Sequence, residues 1–330
     1  MSRVLVTGGA GFISSNLCRH LLRRTEHDVV IMDALTYAGN LANLSDLLGH
    51  PRLSFVEGDI RLTDHVERVV AGVDVIVNAA AESHVEKSIV EGASEFVTTN
   101  VVGTQVLLDA MRRHPVERFV LISSSEVYGT AEREPMDERH PLNPRSPYAA
   151  TKAGGDRLVY SYVATYDLPA TIIRPFNNYG PYQHPEKVVP RFITQALRNE
   201  PLTVHGTGAA SRDWLYVEDD CEAITAAIEA PLERVRGETI NVATGIDIAV
   251  LEIAERVCDA LGRPRSLICH TEERPGQVDR HIGSTDKARE LLGWTARTSF
   301  DRGLEQTIRW YRENPAWWSG HVRTAVTRGG

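Results

Sequence analysis

Two side chains in this 330-residue sequence stand at a spacing that could support acid–base chemistry. Tyr148 and Lys152 are four positions apart, so they would share one face of a helix. A nearby ammonium and a positively charged cofactor would lower the pKa of the phenol from about 10 towards working pH. The phenolate could then take a proton from a hydroxyl while hydride leaves the same carbon. Because Tyr-x-x-x-Lys also occurs by chance on helix surfaces, this hypothesis needs support from elsewhere in the chain.

A glycine-rich stretch, residues 7–14, offers that support because it lies between the first strand-like run and the first helix-like run. Gly8 would allow a tight turn, and Gly11 would let a phosphate approach the backbone. Such a turn directs N–H groups and the positive end of a helix at a pyrophosphate. Ser14 replaces the last glycine of this motif and is small enough to preserve helix–strand packing. The predicted pyrophosphate site is Gly8, Gly11, Phe12 and Ile13.

Acidic and small residues after the following strands extend this predicted dinucleotide site. Asp33 ends the second strand, where its carboxylate could accept hydrogen bonds from ribose hydroxyls. Its charge would repel a 2′-phosphate, so we predict NAD rather than NADP. Residues 58–60 and 78–81 follow the third and fourth strands, although each segment alone could equally be an N-cap or a packing site. The predicted contacts to the adenine and the nicotinamide ribose are Asp59, Ile60, Ala79 and Ala81.

Short β-branched runs alternate with amphipathic stretches through the first half of the chain. The predicted strands are Val4–Val6, Val29–Met32, Leu53–Glu57, Val73–Asn78, Phe119–Ser123 and Thr171–Arg174. The predicted helices between them are Asn16–Arg24, Thr63–Ala71, Asn100–Arg113 and Tyr148–Tyr166. Near-continuous apolar strands are typical of parallel sheets, which are buried on both faces. The pattern predicts an α/β fold with a doubly wound parallel sheet of the Rossmann type, whose ligands bind at the carboxyl ends of the strands.

The alternation of strand-like and helix-like stretches changes after Arg174, which indicates a smaller, mixed C-terminal domain. Pro175–Glu186 is rich in Pro, Asn, Gly and Tyr and is predicted to be an ordered loop. Two further strands are predicted at Leu202–His205 and Thr239–Val242. Further helices are predicted at Val188–Arg198, Val217–Glu229, Val250–Leu261 and, as the last of the chain, Phe300–Tyr311.

Composition argues against several classes of function. The net charge of −8, from 36 basic and 44 acidic residues, argues against a surface for nucleic acid. No apolar run approaches the ~20 residues of a membrane span, and the first residues lack a signal-peptide pattern. The four cysteines are scattered, with neither Cys-x-x-Cys nor His-x-x-x-His spacing in the chain. We therefore expect a cytoplasmic protein that binds neither membrane nor metal.

Together these motifs resemble the extended short-chain dehydrogenases/reductases, in the group of nucleotide-sugar dehydratases, epimerases and decarboxylases. Within that group the sequence is most similar to the dTDP-glucose 4,6-dehydratases over nearly its whole length. The supporting stretches are Asp33–Asn40, Ala81–Val85, Asn177–Lys187 and Arg309–Asn314. The resemblance implies that Thr36, Gly39 and Asn100 also contact NAD.

The resemblance also assigns roles at the serine-rich end of the fifth strand. It implies that Ser124 hydrogen-bonds the sugar O4 beside Tyr148 and that Glu126 removes the C5 proton once C4 is a ketone. The C6 hydroxyl would leave as water, and the hydride would return to C6. The candidate catalytic residues are Ser124, Ser125, Glu126, Tyr148 and Lys152. At the position of Ser125 the dTDP-glucose enzymes carry an Asp, which protonates the departing water, so the sequence differs from them here. A Ser-Glu pair resembles GDP-mannose-type and some UDP-amino-sugar dehydratases, in which Glu could serve as base and acid, and also the UDP-glucuronate decarboxylases.

The diphosphate of a nucleotide sugar needs fixed donors, for which arginine is well suited. By the family pattern these are Arg212 and Arg274. His205 falls where relatives often place an aromatic ring against the base. An imidazole can also stack on a base, but less broadly, so the identity of the base stays open. The predicted substrate set is Ser83, His84, Asn177, Lys187, Val188, Arg191, His205, Arg212 and Arg274. We expect an NAD-binding domain over residues 1–176 with a return segment at about 212–246, and a nucleotide-sugar-binding domain over about 177–211 and 247–330.

The leading hypothesis is an NAD-dependent NDP-hexose 4,6-dehydratase that yields a 4-keto-6-deoxyhexose. UDP-glucuronate decarboxylation is the alternative, because it shares the Ser-Glu pair and needs no leaving hydroxyl. An NDP-sugar 4-epimerase would leave Glu126 unexplained, and a non-catalytic NAD-binding scaffold would commonly have lost the Tyr/Lys pair. Asn100–Arg113 and Tyr148–Tyr166 resemble the helices that pair across the four-helix interface of the family, so we expect a homodimer.

Overall fold

The computed structural model describes residues 1–273 and 278–326. Its strands are β1 (Arg3–Thr7), β2 (Asp28–Asp33), β3 (Leu53–Glu57), β4 (Val75–Asn78), β5 (Arg118–Ile122), β6 (Ala170–Pro175), β7 (Asn177–Tyr179), β8 (Leu202–His205), β9 (Ser211–Tyr216), β10 (Thr239–Val242), β11 (Asp247–Ala249), β12 (Ile268–Thr271) and β13 (Arg280–His281). Its helices are α1 (Phe12–Arg24), α2 (Thr63–Val70), α3 (Val85–Val90), α4 (Ser94–Phe96), α5 (Thr104–Arg113), α6 (Pro147–Tyr166), α7 (Val188–Leu197), α8 (Val217–Glu229), α9 (Leu232–Val235), α10 (Val250–Ala260), α11 (Asp286–Leu292), α12 (Phe300–Glu313) and α13 (Pro315–Val326). A π-helical segment, Val97–Gly103, precedes α5, and 3-10 helices lie at Leu41–Leu44, Ser125–Tyr128 and Arg265–Leu267.

A parallel sheet of seven strands forms the centre of the described chain. Its order is β10-β6-β5-β4-β1-β2-β3, and every neighbouring pair is parallel. The order reverses between β1 and β4, which opens a crevice at the carboxyl ends of these strands. The predicted doubly wound parallel sheet is confirmed, and each predicted strand of its first half matches within two residues.

Helices cover both faces of the inner strands of the sheet, which explains why the central residues of these strands are mostly apolar and buried. The edge strand β3 is half-exposed. Val4 and Val6 of β1 lie in the core beneath α1 and α8, whereas Leu5 lies in the core beneath α2, α5 and α6. Successive side chains of a strand point to opposite faces, so each face needs its own apolar residues. Polar residues occur at the carboxyl ends of several strands.

The C-terminal part of the chain builds a second, more aromatic core. β9 pairs with β7, β11 and β13, while β8 pairs with β12. α7, α10 and α12 pack on these strands around Tyr179, Phe192, Trp214, Phe300 and Tyr311. β7 follows β6 after a single residue, so the chain passes directly from the central sheet to this second sheet. The domain boundaries given above stay a prediction.

Three predicted elements differ from the structure. The predicted loop Pro175–Glu186 contains β7, because β9 supplies the partner that satisfies its backbone. Phe300–Tyr311 is not the last helix: α13 follows, with a proline as its first residue and the buried Trp318 holding it against the core. The predicted helix Asn100–Arg113 begins as the π-helical segment. None of the described helices combines the length and apolar character that crossing a membrane requires.

Candidate active site

The glycine-rich turn joins β1 to α1 at the point where the sheet order reverses. Gly8 has a φ of +66°, and a Cβ there would lie 2.7 Å from the Cα of Ala80, so only glycine fits. Its N–H donates to the carbonyl of Met32 at 2.8 Å, and the N–H of Gly11 donates to the carbonyl of Gly8 at 2.9 Å. α1 begins at Phe12, four residues before its predicted start. The N-terminus of α1 therefore lies at the turn, as an anion-binding site requires.

Most of the predicted NAD-binding residues line one cleft beside this turn. They are Gly8, Gly11, Phe12, Ile13, Asp33, Thr36, Gly39, Asp59, Ile60, Ala79, Ala81, Tyr148 and Lys152. Asn100 instead supports the wall of the cleft from behind. Its side chain accepts from the N–H of Glu82 at 2.9 Å and donates to the carbonyl of the same residue at 3.1 Å and to the hydroxyl of Thr151 at 2.9 Å.

Asp33 is held rigidly at the end of β2. Its two carboxylate oxygens accept from the N–H groups of Ala10 at 2.9 Å and Leu35 at 2.7 Å. Burial raises the pKa of Asp33, and these two backbone hydrogen bonds oppose the rise. A Cβ at Gly39 would lie 2.5 Å from the same carboxylate, so glycine keeps this acceptor accessible. Each oxygen keeps a lone pair for a ribose hydroxyl, and the site thus fits a dinucleotide.

The Tyr148 and Lys152 side chains lie at the carboxyl end of β5. Tyr148 is the second residue of α6, and its phenol is hydrogen-bonded to the Ser124 side chain. The ammonium of Lys152, one turn further along the helix, donates to the carbonyl of Ile122 at 2.6 Å. The structure therefore brings together three residues that the sequence places in two distant segments.

The protein groups around Tyr148 act against its predicted ionisation. Burial raises the pKa of Tyr148 to about 12, the Ser124 hydrogen bond opposes this rise, and the negative charge of Glu126 adds to it. Burial likewise lowers the pKa of Lys152 to about 8, against the negative charge of Asp156. The predicted lowering of the phenol pKa is not found among the protein groups, because desolvation outweighs the other influences.

Glu126 stands on a short 3-10 helix that follows β5. The Ser124 hydroxyl caps this helix by accepting from the N–H of Glu126 at 3.2 Å. The charge of Glu126 acts on both Tyr148 and the buried His281, so its carboxylate lies near each of them. Ser125 is buried in the same turn. It supplies no carboxyl group, so Glu126 is the acidic residue of this turn.

Ion pairs cross the rim of the cleft between the loop after β4 and the segment before α7. Glu186 pairs with His84 at 3.1 Å and with Lys187 at 3.3 Å, and Lys187 donates to the carbonyl of Ser83 at 3.2 Å. Burial alone would raise the pKa of Glu186, but the hydrogen bond from His84 and the charges of Lys187 and His184 lower it to about 2. Three predicted substrate residues thus meet at this rim.

Other predicted substrate residues lie in the second sheet and its helices. Asn177 is the first residue of β7, where its side-chain oxygen is buried, and Val188 is the first residue of α7. Arg191 donates to the carbonyl of Thr203 on β8 at 3.3 Å. His205, at the end of the same strand, is bonded to the carbonyl of Glu272 at 3.2 Å. Arg191 and His205 thus lie at β8, whereas Val188 directly follows Lys187 of the rim.

Arg212 lies on β9. It is in register with His281 of β13, and both its charge and that of Glu126 act on this histidine. The guanidinium predicted to bind diphosphate thus lies on the same side of the molecule as the predicted base. Arg274 lies outside the described residues.

The cleft also contains residues that the motif analysis missed. Trp317 of α13 lines it and donates from its indole N–H to Asn43 at 2.8 Å, while Asn43 donates to the carbonyl of Ala10 in the glycine-rich turn at 2.8 Å. Tyr182 and Glu186 line it from the segment before α7. Glu186 could have been found from the sequence, because it is an acidic residue in a Pro-rich stretch. Trp317 could not, because its contact spans almost the whole chain.

Comparison with known proteins identifies the relatives of this chain. The sequence model of the GDP-mannose 4,6 dehydratase family matches residues 5–307. The low-salt glycan biosynthesis protein Agl12 of Haloferax volcanii is 48% identical over 308 residues, which are 93% of this chain and 98% of the relative. The dTDP-glucose 4,6-dehydratase of Streptomyces niveus is 44% identical over 321 residues, which cover 96% of this chain and 94% of the relative.

A solved structure agrees with these similarities in sequence. DesIV, a dTDP-glucose 4,6-dehydratase from Streptomyces venezuelae determined with NAD bound, superposes with a TM-score of 0.92 at 42% sequence identity. The match covers 97% of this chain and 99% of that one. The fold described above, including the second sheet, is therefore shared with a relative over almost its full length.

Proposed function

The chain belongs to the GDP-mannose 4,6 dehydratase family, and from this membership and the geometry of its cleft we propose that it is an NAD-dependent NDP-hexose 4,6-dehydratase. One observation carries the proposal most directly. Tyr148 is hydrogen-bonded to Ser124 and feels the charge of Glu126, and Tyr148 and Lys152 both line the cleft that contains most of the predicted NAD-binding residues. An alcohol oxidation and an elimination need these groups close to one another.

The cofactor cleft and Tyr148 would serve the oxidation at C4. When bound, NAD supplies the hydride acceptor for C4 and the hydride donor for C6, together with positive charge near the phenol. The turn at Gly8 and Gly11 would hold its pyrophosphate, and Asp33 would accept from its adenosine ribose. Tyr148 takes the proton of the C4 hydroxyl, with Ser124 fixing the sugar oxygen beside it.

Glu126 would serve the loss of water across C5 and C6. The C4 ketone acidifies the C5–H bond, and the Glu126 carboxylate removes that proton. Because Ser125 carries no carboxyl group, the protonated Glu126 then donates to the departing C6 hydroxyl, which leaves as water. One carboxyl group is thus base and acid in turn, and the proton count balances.

The nucleotide sugar would extend from the rim of the cleft towards the second sheet. We assign its diphosphate to Arg212 and Arg274 and its sugar to the groups around Glu126. The residues proposed to bind it are Ser83, His84, Asn177, Lys187, Val188, Arg191, His205, Arg212 and Arg274. We keep the division into an NAD-binding unit, residues 1–176 with 212–246, and a nucleotide-sugar-binding unit formed by the rest of the chain.

We also propose that the protein is a homodimer and acts in the cytoplasm. Large apolar side chains are exposed on the two segments predicted to pair: Val102 is 39% exposed, Tyr160 55% and Tyr166 45%. Burial of these side chains against a second copy would remove that surface from water. A monomeric mass in solution, measured by light scattering, would contradict the dimer. The cysteines are free, which suits a reducing compartment.

The decisive experiment is incubation of the purified holoenzyme with dTDP-, UDP- and GDP-hexoses. We expect a 4-keto product that lacks the C6 hydroxyl with at least one of them, observed by mass spectrometry and NMR. Recovery of only a C4 epimer would reject the dehydratase. Release of carbon dioxide from UDP-glucuronate, with no dehydrated hexose, would establish the decarboxylase instead. The preferred nucleotide would show which base the His205 side of the site accepts.

A further inference from the structure

Asp156 continues the polar face of α6 beyond Tyr148 and Lys152. The three residues are spaced by four, so they lie one above another on the helix. Asp156 is 0% exposed, and none of the roles given above uses it. A fully buried carboxylate is costly unless it is paired and hydrogen-bonded, so its contacts indicate why it is there.

The carboxylate of Asp156 anchors the end of β5. One oxygen accepts from the hydroxyl of Ser123 at 3.1 Å and from Nε of Arg174 at 2.8 Å. The other accepts from Nη2 of Arg174 at 2.9 Å and from Nη2 of Arg157 at 2.7 Å. Ser123 itself lines the cofactor cleft. Asp156 therefore ties α6 to the residue that precedes Ser124 in the site.

Arg174 carries the connection on to the turn that holds Glu126. This arginine, at the end of β6, is 1% exposed and donates from Nη1 to the hydroxyl of Tyr128 at 2.8 Å. The Tyr128 hydroxyl donates in turn to Asn241 of β10 at 2.7 Å. Tyr128 is the last residue of the 3-10 helix on which Glu126 stands. A continuous buried chain of hydrogen bonds thus runs from α6 to that helix.

The charges around this chain keep the Asp156 carboxylate ionised. They come from Lys152 and Arg157 on its own helix and Arg174 on β6, while Tyr128 contributes a neutral hydroxyl. Burial would raise the pKa of Asp156, but the hydrogen bonds and charges of Arg174 and Arg157 lower it. The remaining negative charge opposes the desolvation that lowers the pKa of Lys152.

We propose that Asp156 is a positioning residue of the dehydratase reaction, a proposal that rests on the function given above. On one side its charge keeps Lys152 protonated, one helical turn from Tyr148. On the other side, through Arg174 and Tyr128, it holds the turn that carries Glu126. The oxidation and the elimination thus share one buried support.

The charge of Asp156 is tested by the Asp156→Asn holoenzyme. The amide keeps one of the two acceptor oxygens and carries no charge, so Lys152 should lose its proton at lower pH. We expect C4 oxidation, followed in single turnovers by the absorbance of the reduced cofactor, to slow by about tenfold. The alkaline limb of its pH profile should move down by about half a unit or more, with KM changed by less than about threefold.

The connection to the turn is tested by Tyr128→Phe, which removes one hydroxyl and no charge. We expect C4 oxidation and its alkaline limb to stay within about twofold of wild type, while loss of water slows by about fivefold. Reduced cofactor should then accumulate, and exchange of the C5 hydrogen with solvent deuterium should slow. Arg157→Gln is the matched control: this arginine bonds the same carboxylate from a half-exposed position, and both steps should change by less than about twofold.

Several outcomes would overturn the proposal. One is a folded Asp156→Asn protein with the oxidation rate and alkaline limb of wild type. Another is an equal loss in both steps, with an unmoved limb and a lower unfolding temperature, which would mark a purely structural role. If Asp156→Asn does not fold, unchanged loss of water in Tyr128→Phe overturns the proposal. Failure of the proposed function is distinguishable, because wild type would then dehydrate no hexose, whereas its oxidation step can still be read.

Discussion

The two sides of the active-site cleft are built by different means. The cofactor side consists of one continuous turn, residues 8–12, and of Asp33, which two backbone N–H groups hold in place. The proposed catalytic side consists of Glu126 on the 3-10 helix after β5 and of Tyr148 and Lys152 on α6, and burial shifts the pKa values of Tyr148 and Lys152. Substitutions on the cofactor side should therefore alter binding and stability, whereas substitutions on the catalytic side should alter chemistry.

The strongest test of this contrast is Tyr148→Phe. Loss of the phenol removes the acid–base group, so kcat should fall by about 10²–10⁴-fold while bound NAD is retained. The measurements are product formation and the cofactor content of the purified protein. Tyr160→Phe, on the exposed part of the same helix, is the control and should keep full activity. An active Tyr148→Phe enzyme would remove the basis of the contrast.

Glu126→Gln should separate the two chemical steps. The amide cannot take the C5 proton, so loss of water should slow by about 10²-fold or more while C4 oxidation continues. Reduced cofactor should accumulate and be visible by its absorbance. Glu132→Gln, a few residues along the chain and bonded to Asn143, is the control and should behave as wild type. Unchanged water loss in Glu126→Gln would assign the base to another residue.

The pH dependence of stability sharpens the electrostatic side of the comparison. Burial lowers the pKa of Lys152 from 10.5 to about 8, so between these values the unfolded chain binds the additional proton. The penalty for the buried charge is full below pH 8 and is relieved as pH rises towards 10.5. The unfolding free energy of wild type should therefore rise relative to Lys152→Met across this window, by at most about 3 kcal/mol. Denaturant titrations at several pH values would measure it, and a flat difference would contradict the burial of Lys152.

Gly8→Ala tests the steric side of the comparison. The new Cβ would meet the backbone of Ala80 at 2.7 Å, so we expect a loss of about 1–3 kcal/mol in stability and a reduced NAD content. Gly49→Ala is the matched control, since Gly49 also has positive φ but has nothing within 4 Å of its Cβ position. The difference between the two variants isolates the collision from the backbone strain. Equal losses in both would show that the close approach to Ala80 is unimportant.

Local patterns sufficed to predict most residues of the cofactor side, because each of them stands in a short motif at a strand end. The glycine turn, Asp33 and the strand ends each follow from a few neighbouring residues, and the structure places them in one cleft. The placement of Tyr148 and Lys152 one turn apart on a single helix was predicted for the same reason. The direction of the pKa shift of Tyr148 was not predicted, because the desolvation of its phenol depends on every element packed around it.

Contacts between segments far apart in the chain could not be predicted from the sequence. β7 was predicted as a loop because the strand that pairs with it, β9, comes from a later segment of the chain. The position of Trp317 against Asn43 follows from the packing of α13. The part played by Asp156 likewise needs Arg174 from another strand.

The sequence by itself determined the parallel doubly wound sheet, the glycine turn and the residue types available for chemistry, because periodicity and spacing act over short stretches of chain. Only the tertiary structure decided which charges face one another, how far burial shifts each pKa and which segments close the cleft. Those properties arise from desolvation and from pairings between residues far apart in the chain, and no local pattern encodes them.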